Sequence, residues 1–175
     1  MNAETVSYRY TTDELNALLL ILDLPGLPGL PMPAISQAAY RAAIDSLSDS
    51  GLVTPAGDQA IIDRLTVLLL SSIAKCSFFV RFDAAGRTVL LWRGPTIYIV
   101  GMFPEQGECS LTPLPSPDEA EDALNAALIR CAFPLTVASP ALLGEETLTA
   151  SDADQRESIM ARLRQSAENH EARNA

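Results

Sequence analysis

Histidine is almost missing from this chain: His170 is the only one among 175 residues, and it sits in a polar C-terminal stretch. That argues against a Ser-His-Asp or Cys-His reaction centre and removes the commonest metal ligand. Cysteine is scarce too. Cys76, Cys109 and Cys131 are odd in number, widely spaced and set in apolar surroundings, with no Cys-x-x-Cys. Neither a disulfide framework nor a zinc site is expected from them; free cysteine in such places serves as a small hydrophobe. Positive charge is short, with 12 basic residues against 22 acidic ones and a formal net charge of −10. Such a surface repels nucleic-acid phosphates and anionic lipid, so neither nucleic acid nor membrane is expected as a partner. No apolar run is long enough to span a bilayer, and no basic region followed by an apolar core opens the chain. Cytoplasmic residence is therefore expected.

Phosphate-cradling and nucleophile-elbow motifs are also missing: there is no Gly-x-Gly-x-x-Gly, Walker loop or Gly-x-Ser-x-Gly. Ser72-Ile-Ala-Lys75 matches the Ser-x-x-Lys pattern of penicillin-binding enzymes, but the Ser-Asp-Asn and Lys-Thr-Gly elements that complete it are absent. Lys75 instead complements the dipole at the end of a predicted helix. No catalytic residue, cofactor or metal ligand is assigned.

What is present is apolar material. Hydrophobic residues make up 48% of the chain and charged residues 19%, enough for a packed core. Three helices are predicted first. Thr11 with Glu14 three residues on is a capping box, followed by Leu15, Leu18, Leu19 and Leu22 at helical spacing. Leu20, Ile21 and Leu24 fill other faces, so this helix is either buried on more than one side or offers apolar surface to a partner. Ser36 caps a second helix carrying Tyr40, Ala43, Ile44 and Leu47, with Gly51 as its left-handed stop and Leu52 closing the contact that follows. A third helix is predicted from about Asp58 to Lys75, with a stripe of Ile61, Ile62, Leu65, Leu68, Leu69 and Ile73.

From Ser77 the period changes to two. Strands are predicted over Ser77–Phe82, Thr88–Arg93, Thr96–Phe103 and Cys109–Thr112, the first two joined by a short loop containing Gly86. Val6, Tyr8 and Tyr10 alternate and could add an edge strand. Most of these strands are apolar on both faces, so each face needs a cover of helix or of another chain; the second possibility makes a homodimer an open expectation. Ser116-Pro117-Asp118-Glu119 is the strongest helix start in the chain. Ala120, Ala123, Leu124, Ala127, Leu128 and Cys131 follow on one apolar face. The clustered acids Asp118, Glu119, Glu121 and Asp122 fit a helix N-terminus better than a cation site. These features predict a single α+β domain over residues 1–135, an antiparallel meander of about four strands packed with helices. Residues 136–175 read as an acidic, partly helical tail, with a last helix from about Ser151 to His170.

Pro25-Gly-Leu-Pro-Gly-Leu-Pro-Met-Pro33 is the one strong compositional oddity. Its four prolines and two glycines forbid regular structure, yet its apolar residues are unusual in a solvated loop. It reads either as a loop draped over the core or as a docking segment, for which proline-rich chain loses little entropy. Trp92-Arg93, before Gly94-Pro95, is either a half-buried strand end or an exposed recognition pair. Leu27, Leu30, Met32, Trp92 and Arg93 are thus the candidate partner-binding residues.

The helices on either side of Leu47-Ser-Asp-Ser-Gly-Leu-Val53, with strands after them, resemble a winged helix. That likeness implies a transcription regulator, here an acidic one working through protein contacts, because the helix expected to enter the major groove carries Asp58 and Asp63 beside Arg64. A second resemblance covers more of the chain. It runs from Gly51-Leu-Val53 through Arg64-Leu-Thr-Val-Leu68 to the strands Phe78–Phe82, Thr88–Trp92 and Ile97–Val100. This order is similar to one half of the EspG family, cytosolic chaperones of mycobacterial type VII (ESX) secretion whose members have two pseudo-symmetric halves. The likeness implies a chaperone or adaptor for a secreted protein partner; its motifs are patterns of apolar residues, and no binding residue carries over from it. A non-catalytic protein-binding module is the function expected.

Overall fold

The computed structural model describes residues 6–138 apart from 58, 85 and 131–134, residues 147–150, and six positions between 157 and 172. The expected features at Cys131 and His170, and most of the expected last helix, lie outside the described residues.

The period-two region forms an antiparallel meander, as its alternation predicted. β4 (Phe78–Ala84), β5 (Arg87–Arg93), β6 (Tyr98–Pro104) and β7 (Cys109–Leu114) pair in sequence order. Three further strands widen the sheet to seven, in the order β1-β7-β6-β5-β4-β8-β9. β1 (Tyr8–Tyr10), the edge strand foreshadowed by the alternating valine and tyrosines, pairs with β7 through Tyr8↔Leu111 and Tyr10↔Cys109. At the other edge, β8 (Leu135–Ala138) and β9 (Thr147–Ala150) continue the sheet beyond β4. Residues 136–138 and 147–150, expected in a tail, are therefore sheet. The signal was weak because each strand is only four residues long.

Helices cover both faces. On the first lie α1 (Thr12–Ile21), α2 (Gln37–Asp49) and α3 (Arg64–Ala74), whose Leu15, Leu18, Leu47, Leu70 and Ile73 share one core with Leu90, Trp92, Ile99 and Leu111 of the sheet. On the second lies α4 (Pro117–Arg130), where Ala120 and Ala123 pack with Leu91, Tyr98, Val100 and Leu114. One chain thus supplies helices to both sides of the sheet, three to the first face and α4 to one end of the second.

The N-terminal caps of α1, α2 and α4 are those the sequence announced, at Thr11, Ser36 and Ser116. The Thr11 backbone N–H donates to Glu14 Oε2 at 2.7 Å, and the Glu14 N–H returns a bond to Thr11 Oγ1 at 3.2 Å. The Ser46 hydroxyl donates to Glu14 Oε1 at 2.6 Å, so the same carboxylate also ties α2 to α1. Five consecutive residues of α1, Leu15 to Leu19, are buried. Both readings of this helix hold in part: Leu15 to Leu19 are buried, while Leu20 is 58% exposed and Ile21 and Leu24 are half-buried.

The third helix is shorter than its apolar stripe. It begins at Arg64 rather than near Asp58, because a hairpin of β2 (Val53–Ala56) and β3 (Gln59–Ile62) precedes it. Gly57, at φ +65°, turns the hairpin, and Asp63 caps α3 by accepting the Thr66 N–H at 3.0 Å. The hairpin therefore stands between α2 and α3, where the winged-helix likeness placed a turn.

Candidate functional site

The Pro/Gly/Leu segment lies across the first face of the sheet and is tied to it at several points. The Trp92 indole N–H donates to the Pro28 carbonyl at 2.8 Å. Arg81 donates from Nη1 to the Gly29 carbonyl at 3.0 Å, while its Nε is 2.8 Å from the Asp83 carboxylate, which also accepts the Thr88 hydroxyl at 2.7 Å. At the loop's end the Asn16 amide donates to the Pro33 carbonyl at 3.1 Å. These bonds give a proline-rich segment, short of N–H donors of its own, fixed partners for its carbonyls.

The candidate residues of this region divide accordingly. Leu27 is 3% exposed and Trp92 fully buried, so both belong to the core and present no surface to a partner. This corrects the expectation of an exposed recognition pair. The indole is held edge-to-face with Phe103, ring centroids 6.1 Å apart, and lies over Gly101, where a Cβ would come within 2.6 Å of it. Leu30 and Met32 are half-buried and pack against the same core. Arg93 is half-buried, and its carbonyl accepts the Ser77 N–H at 3.0 Å. The structure does bring the loop and Trp92 together, as a seam inside the molecule.

The other candidates resolve as framework. Ser72 is buried and Lys75 exposed, at the end of α3. Asp118, Glu119, Glu121 and Asp122 are exposed on the first turns of α4, where the Ser116 hydroxyl accepts the Glu119 N–H at 3.2 Å. Among the described residues no group of three or more His, Cys, Asp or Glu side chains is placed to hold a metal ion.

Two buried titratable groups fasten β1. The Tyr10 hydroxyl bonds Thr66 Oγ1 of α3 at 3.2 Å, and the Cys109 thiol donates to the Tyr10 carbonyl at 3.1 Å. Burial pushes the tyrosine from 10.0 up to about 12 and the thiol from 9.0 up to about 11. The unfolded chain therefore releases these protons at lower pH than the folded one, and stability must fall as pH rises. It should hold level to about pH 9 and then decline through the window closing near 12, each group contributing up to ~1.4 kcal/mol per pH unit. Urea midpoints measured from pH 8 to 11 check this. Tyr10→Phe should flatten the upper part of the decline, and an unchanged slope would contradict it.

The apolar surface that is open lies elsewhere. Ile61 on β3 is 62% exposed, and Leu65 and Leu68, one turn apart on α3, are 53% and 50% exposed. Val53 and its cross-strand partner Ile62 turn toward the core, which leaves Ile61 and Thr54 on the outer side of the hairpin. On α3 the two leucines lie on the exposed flank next to the buried Leu69, since Leu65 stands one turn before it on the same side of the helix. The sequence stripe contained these residues, but with a helix assumed from Asp58 they could not be told from core. Arg64 and Lys75, both exposed, stand at the two ends of α3.

The arrangement defines an α+β class: an antiparallel sheet with helices on both faces and a hairpin-plus-helix unit presenting apolar side chains. Compared with solved structures, the chain is similar to the Mycobacterium tuberculosis type VII secretion system chaperone EspG5, a structure determined in complex with a PE25–PPE41 dimer. The two share 11% identity at a TM-score of 0.53, over 71% of this chain and 51% of that one, so this chain spans about half that chaperone's length. At this identity the likeness is one of fold. No protein-family model matches the chain, and no curated protein matches it by sequence. Among the described residues no helix is long and apolar enough to cross a membrane.

Proposed function

We propose that this chain is a non-catalytic protein-binding module, a chaperone or adaptor that holds a protein partner against the hairpin and α3. The observation that carries the reading is the trio Ile61, Leu65 and Leu68, each half exposed or more on one short stretch of a protein whose other large side chains are mostly packed away. Clustered aliphatic surface of this kind marks binding sites. Its flanks, Arg64 and Lys75, favour an amphipathic partner segment with acids beside its apolar face. The fold likeness to a chaperone solved with a protein partner supports this reading, and a secreted client is the finer form of it.

The test is a photo-crosslinking residue at Leu68, used to recover the partner from cells. The recovered partner, once purified, is titrated against the wild type and the Ile61→Gln, Leu65→Gln, Leu68→Gln triple variant. Burying three aliphatic side chains is worth about 1.5–3 kcal/mol each at most, so affinity should drop at least about tenfold, with little change in melting temperature. A partner that binds both proteins equally would remove the strip from consideration.

A further inference from the structure

The second face of the sheet is not used evenly. α4 packs at the end formed by Leu91, Tyr98, Val100 and Leu114. At the opposite end a groove of about 420 Å³ crosses the strands. Its floor is Met102 and Pro104 of β6 with Ser110 of β7; Arg9 of β1 stands on one side and Arg87 of β5 on the other. Met102 is 44% exposed, although its cross-strand partner Val89 is 5% exposed. Arg9 and Arg87 are both exposed, and neither forms an ion pair with a described residue; Glu108 is the one acid in the lining. In a chain of net charge −10, two arginines against one glutamate make a local positive site.

The register fixes its dimensions. Arg9 pairs with Ser110, Ser110 with Met102, and Met102 with Val89; Arg87 is two residues along β5 from Val89, opposite Pro104. Three inter-strand steps, about 14 Å, and the two-residue offset along β5, about 7 Å, put the arginine backbones about 16 Å apart. An extended chain advances about 3.4 Å per residue and points every second side chain the same way, so residues i and i+4, about 14 Å apart, fall within reach of the two long arginine side chains, with i+2 facing the floor between them.

We propose that this groove binds an extended acidic segment of a protein partner, of the form acid-x-apolar-x-acid. The two carboxylates meet Arg9 and Arg87, whose planar guanidinium groups suit them, and the central side chain meets Met102. The site is separate from the apolar strip on α3, which lies on the first face, and it extends the protein-binding reading to a second contact.

The probe is a fluorescent, end-blocked peptide Glu-Ser-Leu-Ser-Glu, beside its Gln-Ser-Leu-Ser-Gln counterpart and a short single-stranded oligonucleotide, each titrated by anisotropy at low and physiological salt. The acidic peptide should bind saturably, weaken with salt, and outbind the glutamine peptide and the oligonucleotide. Arg9→Gln with Arg87→Gln should lower its affinity at least tenfold with the melting temperature unchanged, and Glu108→Gln should raise it. Absence of saturable binding at low salt, equal binding to the double variant, or preference for the oligonucleotide would overturn the proposal. Because the assay leaves Ile61, Leu65 and Leu68 untouched, its failure does not affect the strip, and the triple variant of the strip should bind the peptide normally.

Discussion

Trp92→Ala is expected to destabilise the fold by about 3–5 kcal/mol, the range for removing a large buried aromatic. The indole is fully buried, bonded to the Pro28 carbonyl, and stacked edge-to-face on Phe103. Alanine leaves a cavity under the loop and also leaves that carbonyl without its donor, a further cost of about 1–3 kcal/mol if water does not replace it. Since a domain of this kind has only about 5–15 kcal/mol in hand, the variant should melt far below the wild type or fail to fold. Trp92→Phe keeps most of the volume and loses the N–H, so it should fall between the two. Urea unfolding of the three proteins checks the series; a loss under 1 kcal/mol for the alanine variant would mean that the indole is not core.

The second large effect is expected at Gly29. Its φ of +80° is left-handed, and a Cβ there would lie 2.6 Å from Phe79 Cε2 and 2.9 Å from Leu90 Cδ2. Alanine would meet the backbone cost, about 1–2 kcal/mol, and an overpacking cost of about 1–3 kcal/mol. Gly57→Ala separates the two contributions, because Gly57 has φ +65° and nothing within 4 Å of where its Cβ would stand. Gly29→Ala should therefore be clearly the worse of the pair by urea midpoint. Equal losses would show that the loop does not press on the sheet.

Local chemistry was legible in the sequence, and long-range register was not. Thr11 with Glu14, Ser36, and Ser116 announced their helices because a cap is a contact over three residues. The meander was legible because its alternation is carried by consecutive residues. The hairpin between α2 and α3 was missed because Ile61 and Ile62 also fit a helical stripe continued by Leu65 and Leu69. Pro55, Gly57 and the cap at Asp63 were the competing signals, and they decided the outcome. The burial of Trp92 depends on Gly101 standing beside it on the neighbouring strand and on Pro28 lying above it, 64 residues away in sequence. No window of sequence contains that information. The same holds for the arginine groove, whose walls come from β1 and β5.

The pairing of β1 with β7 sets an order of events for a chain made from its N-terminus. Tyr8 finds its partner only when Leu111 exists, and Pro28 finds its indole donor only when Trp92 does. Until the meander has left the ribosome, α1 and the proline-rich loop have their leucines but no sheet to place them on. The first third of the protein is then the part most in need of protection during synthesis, and its folding must wait on contacts closed over long loops, which are slow to form.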